Sequence, residues 1–249
     1  MDSRNDARAR REYPKKKPNS TSEEMSHKVL SPFLLERLGI RYAIANEKFV
    51  AAIINLLSEC SSREPVSSAL GLSARELASV GARLIPECTN NGLSVIAMPA
   101  DHSETLAGVF ICRDFKSPPP AGVPGDFPWF SPIAEAVMTI DDAYEAKRPG
   151  LVLGEAEDLW MVGVRPSARF ARQGIASTLL RLSAQDGRKR NFKRCVTECT
   201  GYYSQSPARK TGVLECERLA YRDFRFQGRA VFAGIEPPPT DVILFEREF

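Results

Sequence analysis

The sequence is poor in the residues that build metal and disulfide sites. Its only histidines are His27 and His102, and its six cysteines include no Cys-x-x-Cys pair. Two isolated histidines and scattered cysteines indicate neither a zinc site nor a disulfide framework. We therefore expect no bound metal, no histidine-based catalytic triad and a reducing compartment, for which the cytoplasm is the default.

Long apolar runs and a strong net charge are also missing. No apolar stretch approaches the ~20 residues that a helix needs to span a bilayer, and the N-terminus has no apolar leader core. The formal net charge of +3 is too small by itself to indicate nucleic-acid binding. We expect neither a membrane nor a nucleic acid as a partner, and these counts do not indicate an oligomeric state.

Two segments differ in composition from the rest of the chain. Residues 1–25 combine many Arg and Lys residues with polar neighbours and almost no apolar side chains, which predicts a disordered basic tail. Residues 26–249 are long enough to bury the core of one domain. Within them, residues 116–150 form an insert whose first half is rich in proline, and its aromatic residues Phe127, Trp129 and Phe130 predict a flap or a pocket wall.

Hydrophobic periodicity predicts the order of the elements. A strand, two amphipathic helices and a hairpin come before the insert, and the second helix begins with the capping box of Ser73 and Glu76. After the insert come a strand at 159–164, a helix from Gly174, a strand at 195–200, a short helix and two further strands. This order predicts an α/β (α+β) domain with a mixed sheet, not a doubly wound one.

The junction after the strand at 159–164 carries the clearest chemical signal. The strand is continuously apolar, and it leads through a linker into Gly174 and a helix with apolar residues at Ile175 and Leu179. A helix that begins after a glycine turn presents free backbone N–H groups at the positive end of its dipole. The pattern therefore predicts an anion site suited to a pyrophosphate.

The order of elements, together with this turn, resembles the GNAT superfamily of acyl-CoA-dependent N-acetyltransferases from about residue 40 to residue 245. The loop of that family reads Gln/Arg-x-x-Gly-x-Gly/Ala, and Gly174 and Ala176 match it while Ala171 stands at the Gln or Arg position. The resemblance implies a mostly antiparallel sheet flanked by helices, with the insert before the fourth predicted strand. It also implies acetyl-CoA as the co-substrate.

The resemblance assigns the binding of acetyl-CoA to the strand, the linker and the start of the helix. The pantetheine arm is expected along the strand and the pyrophosphate on the helix amides. The residues implied are Met161, Val162, Gly163, Val164, Arg169, Arg172, Gln173, Gly174, Ile175, Ala176 and Ser177. Gly163 has two interpretations: a bulge that opens the strand, or a position that leaves room for a bulky neighbour such as Trp160.

Two further segments are similar to the arylalkylamine (dopamine-type) branch of that superfamily. They are Glu64-Pro65-Val66 and the stretch from Thr200 to Gln205. In that branch the glutamate is implicated as a general base, with hydroxyl residues four apart on the later strand–helix junction, and this assigns catalytic roles to Glu64, Thr200 and Ser204. An alkylammonium group titrates near pH 10 and must lose a proton before it can attack a thioester.

Three functions remain open at this point. The first is acetyl transfer from acetyl-CoA to the primary amine of a small molecule, an arylalkylamine among the candidates, by direct attack in a ternary complex. The second is a protein acetyltransferase acting on lysine or N-terminal amines, with the basic tail as a docking arm. The third is a non-catalytic CoA-binding module, suggested by Ala171 and by Ala208, which stands where many family members have a tyrosine acid.

Overall fold

A computed structural model describes residues 33–101, 105–118, 121–123, 125–164, 170 and 172–249. The predicted basic tail at 1–25 and the beginning of the predicted domain at 26–249 lie outside these residues. Most of the insert at 116–150 is described.

The described part of the chain contains eight strands, six α-helices and one short 3₁₀ helix (Glu47–Phe49). The strands are β1 (Phe33–Arg37), β2 (Ile40–Ile44), β3 (Val95–Pro99), β4 (Gly108–Asp114), β5 (Ala156–Val164), β6 (Arg194–Cys199), β7 (Leu214–Ala220) and β8 (Asp241–Glu248). The helices are α1 (Val50–Ser61), α2 (Pro65–Ala69), α3 (Ala74–Asn90), α4 (Ser131–Ala146), α5 (Ile175–Lys189) and α6 (Tyr202–Lys210). None of these helices combines the length and the apolar character that a bilayer crossing requires.

All eight strands form one sheet in the order β1-β2-β3-β4-β5-β6-β8-β7. Neighbouring strands run antiparallel throughout, except for the parallel pair of β5 and β6. The prediction of a mixed, mostly antiparallel sheet flanked by helices is confirmed. The strand predicted as the fourth is β5, because β1 had not been recognised as a strand.

The helices cover both faces of the sheet. Alternate residues of β4 separate the two sides: Val109 and Ile111 pack with α1 and α3, whereas Phe110 and Cys112 pack with α5. Such alternation is what the two-residue period of a strand requires. Helix α4 covers the far half of the sheet on the side of α1 and α3, and α6 lies on the side of α5.

The capping box predicted for α3 is present in full. Glu76 N donates to Ser73 Oγ and Ser73 N donates to the Glu76 carboxylate, so two backbone donors at the helix end are satisfied.

Two short elements were missed by the sequence analysis. Strand β1 is a five-residue edge strand whose three apolar residues are consecutive and show no alternation, and α2 is a five-residue helix that begins at Pro65.

A glycine on β4 sets the position of α5. A Cβ at Gly108 would lie 2.9 Å from Ile175 Cγ2 and 3.1 Å from Leu179 Cδ1. Real Cβ atoms do not approach so closely, so only glycine lets the first turns of α5 pack this near the sheet. The start of α5 is thereby held against the middle of the sheet, beside β5.

Candidate active site

The sheet opens into a gap between β5 and β6. Their parallel register extends only from Ala156 opposite Arg194 to Asp158 opposite Val196, whereas β5 continues on β4 to Val164. Beyond Asp158 the two described strands share no further pair. The inner edge of β5 therefore presents unpaired backbone groups to the gap, as an exposed strand edge does.

An irregularity in β5 accompanies this opening. A two-residue step on β4, from Ile111 to Arg113, matches a three-residue step on β5, from Met161 to Asp158. One extra residue on β5 is the arrangement of a β-bulge, which bends and twists the bulged strand. The bulge comes directly after the last residue that pairs with β6, so the bend and the gap begin at the same place.

Gly163 does not form this bulge, and the bulge interpretation of Gly163 was wrong. Gly163 stands in regular register opposite Val109. The other interpretation, room for a bulky neighbour, agrees with the structure, although the neighbour is not Trp160. A Cβ at Gly163 would lie 3.0 Å from Leu57 Cδ2. The neighbour is thus a leucine of α1, and the glycine lets that helix approach the sheet.

A cavity of about 180 Å³ lies at the gap. It is lined from one face of the sheet by Leu57 of α1 and Ile133 of α4, and from the other face by Ala176 and Leu180 of α5. Because α5 lies on the opposite side of the sheet from α1, the cavity passes through the sheet where β5 and β6 part. A ligand on one face can therefore meet a ligand on the other.

The cavity wall is mostly apolar with polar groups at one side. Its apolar lining residues include Ile54, Leu57, Val80, Leu84, Phe130, Ile133 and Val137. Its polar residues include Glu64, Thr197, Glu198, Thr200 and Ser204. Of the aromatic residues in the insert, Phe130 lines the cavity, whereas Trp129 packs against the hydrophobic core that surrounds α4.

The start of α5 has the geometry predicted for an anion site. Gly174 adopts φ +69°, a left-handed conformation that glycine adopts without steric cost. Apart from its chain neighbours, no described heavy atom lies within 4 Å of the point that a Cβ would occupy, so the turn is open in front of the helix. The next amides, of Ile175, Ala176 and Ser177, belong to the first turn and have no intrahelical acceptor. Ile175 is buried, and Ala176 lines the cavity.

The remaining residues of the predicted acetyl-CoA set fall in three places. Met161, Val162, Gly163 and Val164 form the end of β5 beyond the bulge, along the gap. Arg172, which is exposed, and Gln173, which is half-buried, come directly before Gly174. Arg169 lies outside the described residues.

Glu64 and Thr200 are brought together across 136 positions of sequence. Thr200 Oγ1 donates to Glu64 Oε2 over 3.2 Å. The local cause is the Glu64-Pro65 pair: the proline favours an extended residue before it and occupies the first position of α2. Glu64 is therefore held at the start of α2 with its side chain in the cavity. Burial raises the pKa of Glu64, and the hydrogen bond from Thr200 partly opposes that rise.

The backbone around Thr200 is shaped to accept this carboxylate. A Cβ at Gly201 would overlap Glu64 Oε2 and lie 3.0 Å from its Cδ, although the φ of −132° suits any residue. Gly201 is thus needed for space and not for conformation. On the other side, Tyr221 Oη donates to the carbonyl oxygen of Thr200.

Ser204 lies in the same cavity but is hydrogen-bonded elsewhere. Its hydroxyl accepts from Gly201 N over 3.2 Å and donates to Gly201 O over 2.9 Å. These bonds stabilise the first turn of α6, directly beside Thr200. The structure therefore brings Glu64 and Thr200 into direct contact and places Ser204 at the helix start that supports them.

One buried carboxylate beside the cavity was missed by the sequence analysis. Glu198, on β6, is 8% exposed, and both of its carboxylate oxygens are buried close to the carboxyl groups of Asp158 and Asp141. Burial and the nearby carboxylates of Asp158 and Asp141 raise the pKa of Glu198. The available signal was a single charged residue between Val196 and Cys199 in a strand that is otherwise buried.

The two tyrosines that follow Thr200 in sequence, Tyr202 and Tyr203, are exposed to solvent. Tyr203 is 82% exposed and Tyr202 is 53% exposed, and the two rings contact each other edge to face. Ala208, at the helix position where many GNAT enzymes carry a tyrosine, is fully buried. Neither tyrosine is among the residues that line the cavity.

No protein-family model and no curated protein matches the chain by sequence, but solved structures share its fold. The C-terminal condensation domain of Ebony, in complex with β-alanyl-dopamine, has a TM-score of 0.75 at 12% identity and covers 84% of this chain and 99% of its own. Arylalkylamine N-acetyltransferase 2 from Aedes aegypti has a TM-score of 0.70 at 16% identity, with coverages of 84% and 98%. Polyamine N-acetyltransferase from Drosophila melanogaster has a TM-score of 0.65 at 16% identity, with coverages of 84% and 100%.

Identities this low establish a common fold and leave the activity to be argued from the site. The neighbours named are similar over nearly their whole length, and each aligns with the same large share of this chain. The predicted architecture is therefore confirmed, and the chain has the fold of the GNAT N-acetyltransferases, with the arylalkylamine branch among its structural neighbours.

Proposed function

We propose that this protein is an enzyme that transfers an acetyl group from acetyl-CoA to the primary amine of a small molecule. The single observation that carries the proposal is the cavity at the β5–β6 gap. It joins the open start of α5, on one face of the sheet, to the Glu64–Thr200 pair on the other. The first suits the diphosphate of a thioester carrier and the second suits an amine.

Acetyl-CoA would be bound chiefly by backbone groups. The amides that follow Gly174 would hold its pyrophosphate, and the free edge of β5 from Met161 to Val164 would accept the pantetheine arm as an added strand. The bulge before Met161 supports this assignment, because it turns the edge of β5 away from β6. Much of the rate would then come from holding two reactants together, for which effective molarity contributes about 7–11 kcal/mol.

Glu64 would accept the proton of the acceptor ammonium, directly or through a water. The neutral nitrogen would form its bond to the acetyl carbon while the carbon–sulfur bond breaks, in a single ternary complex, and the second proton of the nitrogen would pass to the departing CoA thiolate. A raised pKa brings Glu64 closer to the working pH, where a general base is most effective. Thr200 would hold the carboxylate of Glu64 in place, and Ser204 would stabilise the start of α6 beside Thr200.

The structural neighbours favour an amine acceptor. Two are named as N-acetyltransferases of arylalkylamines and polyamines, and the third is a condensation domain bound to β-alanyl-dopamine.

The test is release of CoA thiol from acetyl-CoA with a panel of arylalkylamines, polyamines, free amino acids and lysine peptides. We expect saturable turnover with at least one class of small amine and little with the peptides. Turnover with peptides alone would favour a protein acetyltransferase. Binding of acetyl-CoA without turnover on any acceptor would favour a non-catalytic module. A titration with CoA that shows neither heat nor a thermal shift would remove the enzymatic proposal altogether.

A further inference from the structure

The peptide group between Thr200 and Gly201 is held at both of its polar atoms. Its carbonyl oxygen accepts a hydrogen bond from Tyr221 Oη, and its N–H donates to Ser204 Oγ over 3.2 Å. Because a peptide group is planar, these two bonds fix the backbone angles on either side of it. They thereby set the direction in which the Thr200 side chain projects, and that side chain donates to Glu64.

Tyr221 reaches this peptide from a distant segment and is itself firmly held. It directly follows β7, its N–H donates to the carbonyl oxygen of Thr240 over 3.0 Å, and it is 2% exposed. Its ring meets the ring of Phe232 edge to face at 5.8 Å, and Phe232 stacks on Phe224 at 5.3 Å. A side chain packed in this way has few other rotamers open to it, so the hydroxyl stays on the Thr200 carbonyl.

Tyr221 lies behind the wall of the cavity. Glu64, Thr200 and Ser204 line the cavity, whereas Tyr221 is not one of the described residues that do so. Burial and the charge of Glu64 raise the pKa of Tyr221, so the phenol lies near that carboxylate and keeps its proton at neutral pH. The proton is used by the Thr200 carbonyl, so an effect of Tyr221 on catalysis has to pass through its neighbours.

We propose that Tyr221 is a positioning residue for the acetyl transfer: its hydroxyl holds the Thr200–Gly201 peptide so that the Thr200 side chain stays on the Glu64 carboxylate. The inference rests on the proposed function, in which Glu64 is the base. The alternative is a structural role alone, in which Tyr221 joins the end of β7 to the end of β6 and has no influence on Glu64.

The two roles predict different changes at Glu64. The bond from Thr200 favours the ionised carboxylate, so its loss should raise the pKa of Glu64. Removal of the Tyr221 oxygen alone would have the opposite sign, because a partial negative charge beside a carboxylate disfavours ionisation. Cys199 also interacts with the charge of Glu64, and burial raises its pKa to about 12. Glu198 lines the same cavity and is unaltered in every variant compared below.

The experiment is a ¹³C NMR titration of the glutamate carboxyl carbons, in which the Glu64 signal is identified by its absence from Glu64→Gln. In Tyr221→Phe the titration of Glu64 should move to higher pH, as in Thr200→Val. In the double variant it should move no further than in Thr200→Val, because both changes act on one bond. In the enzyme assay, kcat/KM for Tyr221→Phe should fall by about threefold more at pH 6 than at pH 8, with an unchanged Kd for acetyl-CoA.

Tyr144→Phe is the matched control. Tyr144 is also a buried tyrosine whose hydroxyl is used within the protein, by Glu246, and its loss should leave the titration of Glu64 in place. A Glu64 titration that stays in place or moves to lower pH in Tyr221→Phe would overturn the inference. Independent, additive shifts in the double variant would overturn it as well, because Tyr221 would then not act through Thr200.

A second variant decides the question if Tyr221→Phe does not fold. Phe232→Leu keeps the Tyr221 hydroxyl and loosens the ring that carries it, so the titration of Glu64 should move in the same direction. An unchanged titration in Phe232→Leu would then overturn the inference. The titration needs no substrate, so absence of turnover with every amine would count against the proposed function, while the NMR result still decides whether Tyr221 positions Thr200.

Discussion

The two sides of the β5–β6 gap are built from different chemistry. On the α5 side the groups that face the gap are backbone amides after Gly174 and the free edge of β5. On the other side they are side chains, Glu64 from the start of α2 and Thr200 from the position directly after β6. The first side needs a glycine and a correct chain path, whereas the second needs particular residues from distant segments.

This difference explains how a fold can persist while the sequence does not. Backbone amides are present whatever the side chains are, so the α5 side can keep its geometry at the 12–16% identity seen among the structural neighbours. The acceptor side can change with a few substitutions. We therefore expect variants on the acceptor side to affect turnover, and variants at the start of α5 to affect the affinity for acetyl-CoA.

The largest expected effect is on the acceptor side. Glu64→Gln removes the proposed base, keeps its shape and still offers an oxygen to Thr200. We expect kcat to fall by about a hundredfold, within the usual range for general-base catalysis, while the Kd for acetyl-CoA stays the same. The measurement is steady-state thiol release together with calorimetric titration of acetyl-CoA.

The stability of Glu64→Gln provides the control for misfolding. Because burial raises the pKa of Glu64 above its ordinary value of 4.5, its stabilising contribution is fully present below that value and is lost as the pH rises through the raised pKa. The ionised carboxylate of Glu64 therefore destabilises the folded protein at pH 8, and Glu64→Gln should have the same Tm or a higher one. Unchanged turnover would contradict the catalytic role, and a lower Tm would assign lost activity to misfolding.

The next effect tests the space that Gly201 leaves for Glu64. In Gly201→Ala the new methyl group would overlap Glu64 Oε2 and displace the carboxylate from Thr200. We expect kcat to fall by about tenfold, because a misplaced base loses part of its effect. Gly234→Ala is the matched control, since no heavy atom lies within 4 Å of its added Cβ. Equal activity of the two variants would show that the position of Glu64 is not critical.

On the α5 side, Ser177→Asp should separate binding from folding. A carboxylate in the first turn of a helix stabilises it by about 0.3–1 kcal/mol, but here it would repel the pyrophosphate. We expect the KM for acetyl-CoA to rise by about tenfold, with kcat nearly unchanged and Tm equal or higher. Ser177→Ala is the neutral control. A fall in kcat at constant KM would place the diphosphate elsewhere and remove the contrast between the two sides.

The same contrast accounts for what could be predicted from the sequence. The start of α5 could be predicted because a strand, a glycine and a helical period lie within one short segment. Glu64 and Thr200 could be assigned only through the family resemblance, since no local pattern reveals that residues 136 positions apart share a hydrogen bond. Glu198 was missed because its importance comes from Asp141 and Asp158, which other elements bring beside it. The sequence left both interpretations of Gly163 open, because a glycine that admits a neighbouring helix and one that forms a bulge are identical in sequence.

The smallest expected effect concerns Thr200. Its hydroxyl donates to the ionised form of Glu64 and so lowers a pKa that burial raises. Thr200→Val removes that bond at nearly constant volume, so the pKa of Glu64 should rise further. Because the proposed base works when ionised, the acidic limb of kcat/KM should move to higher pH, and kcat at high pH should fall by only about threefold. Thr200→Ser restores the hydroxyl and should restore the limb. If the limb stays in place in Thr200→Val, it does not report Glu64, and the acceptor side does not contain the base we assign to it.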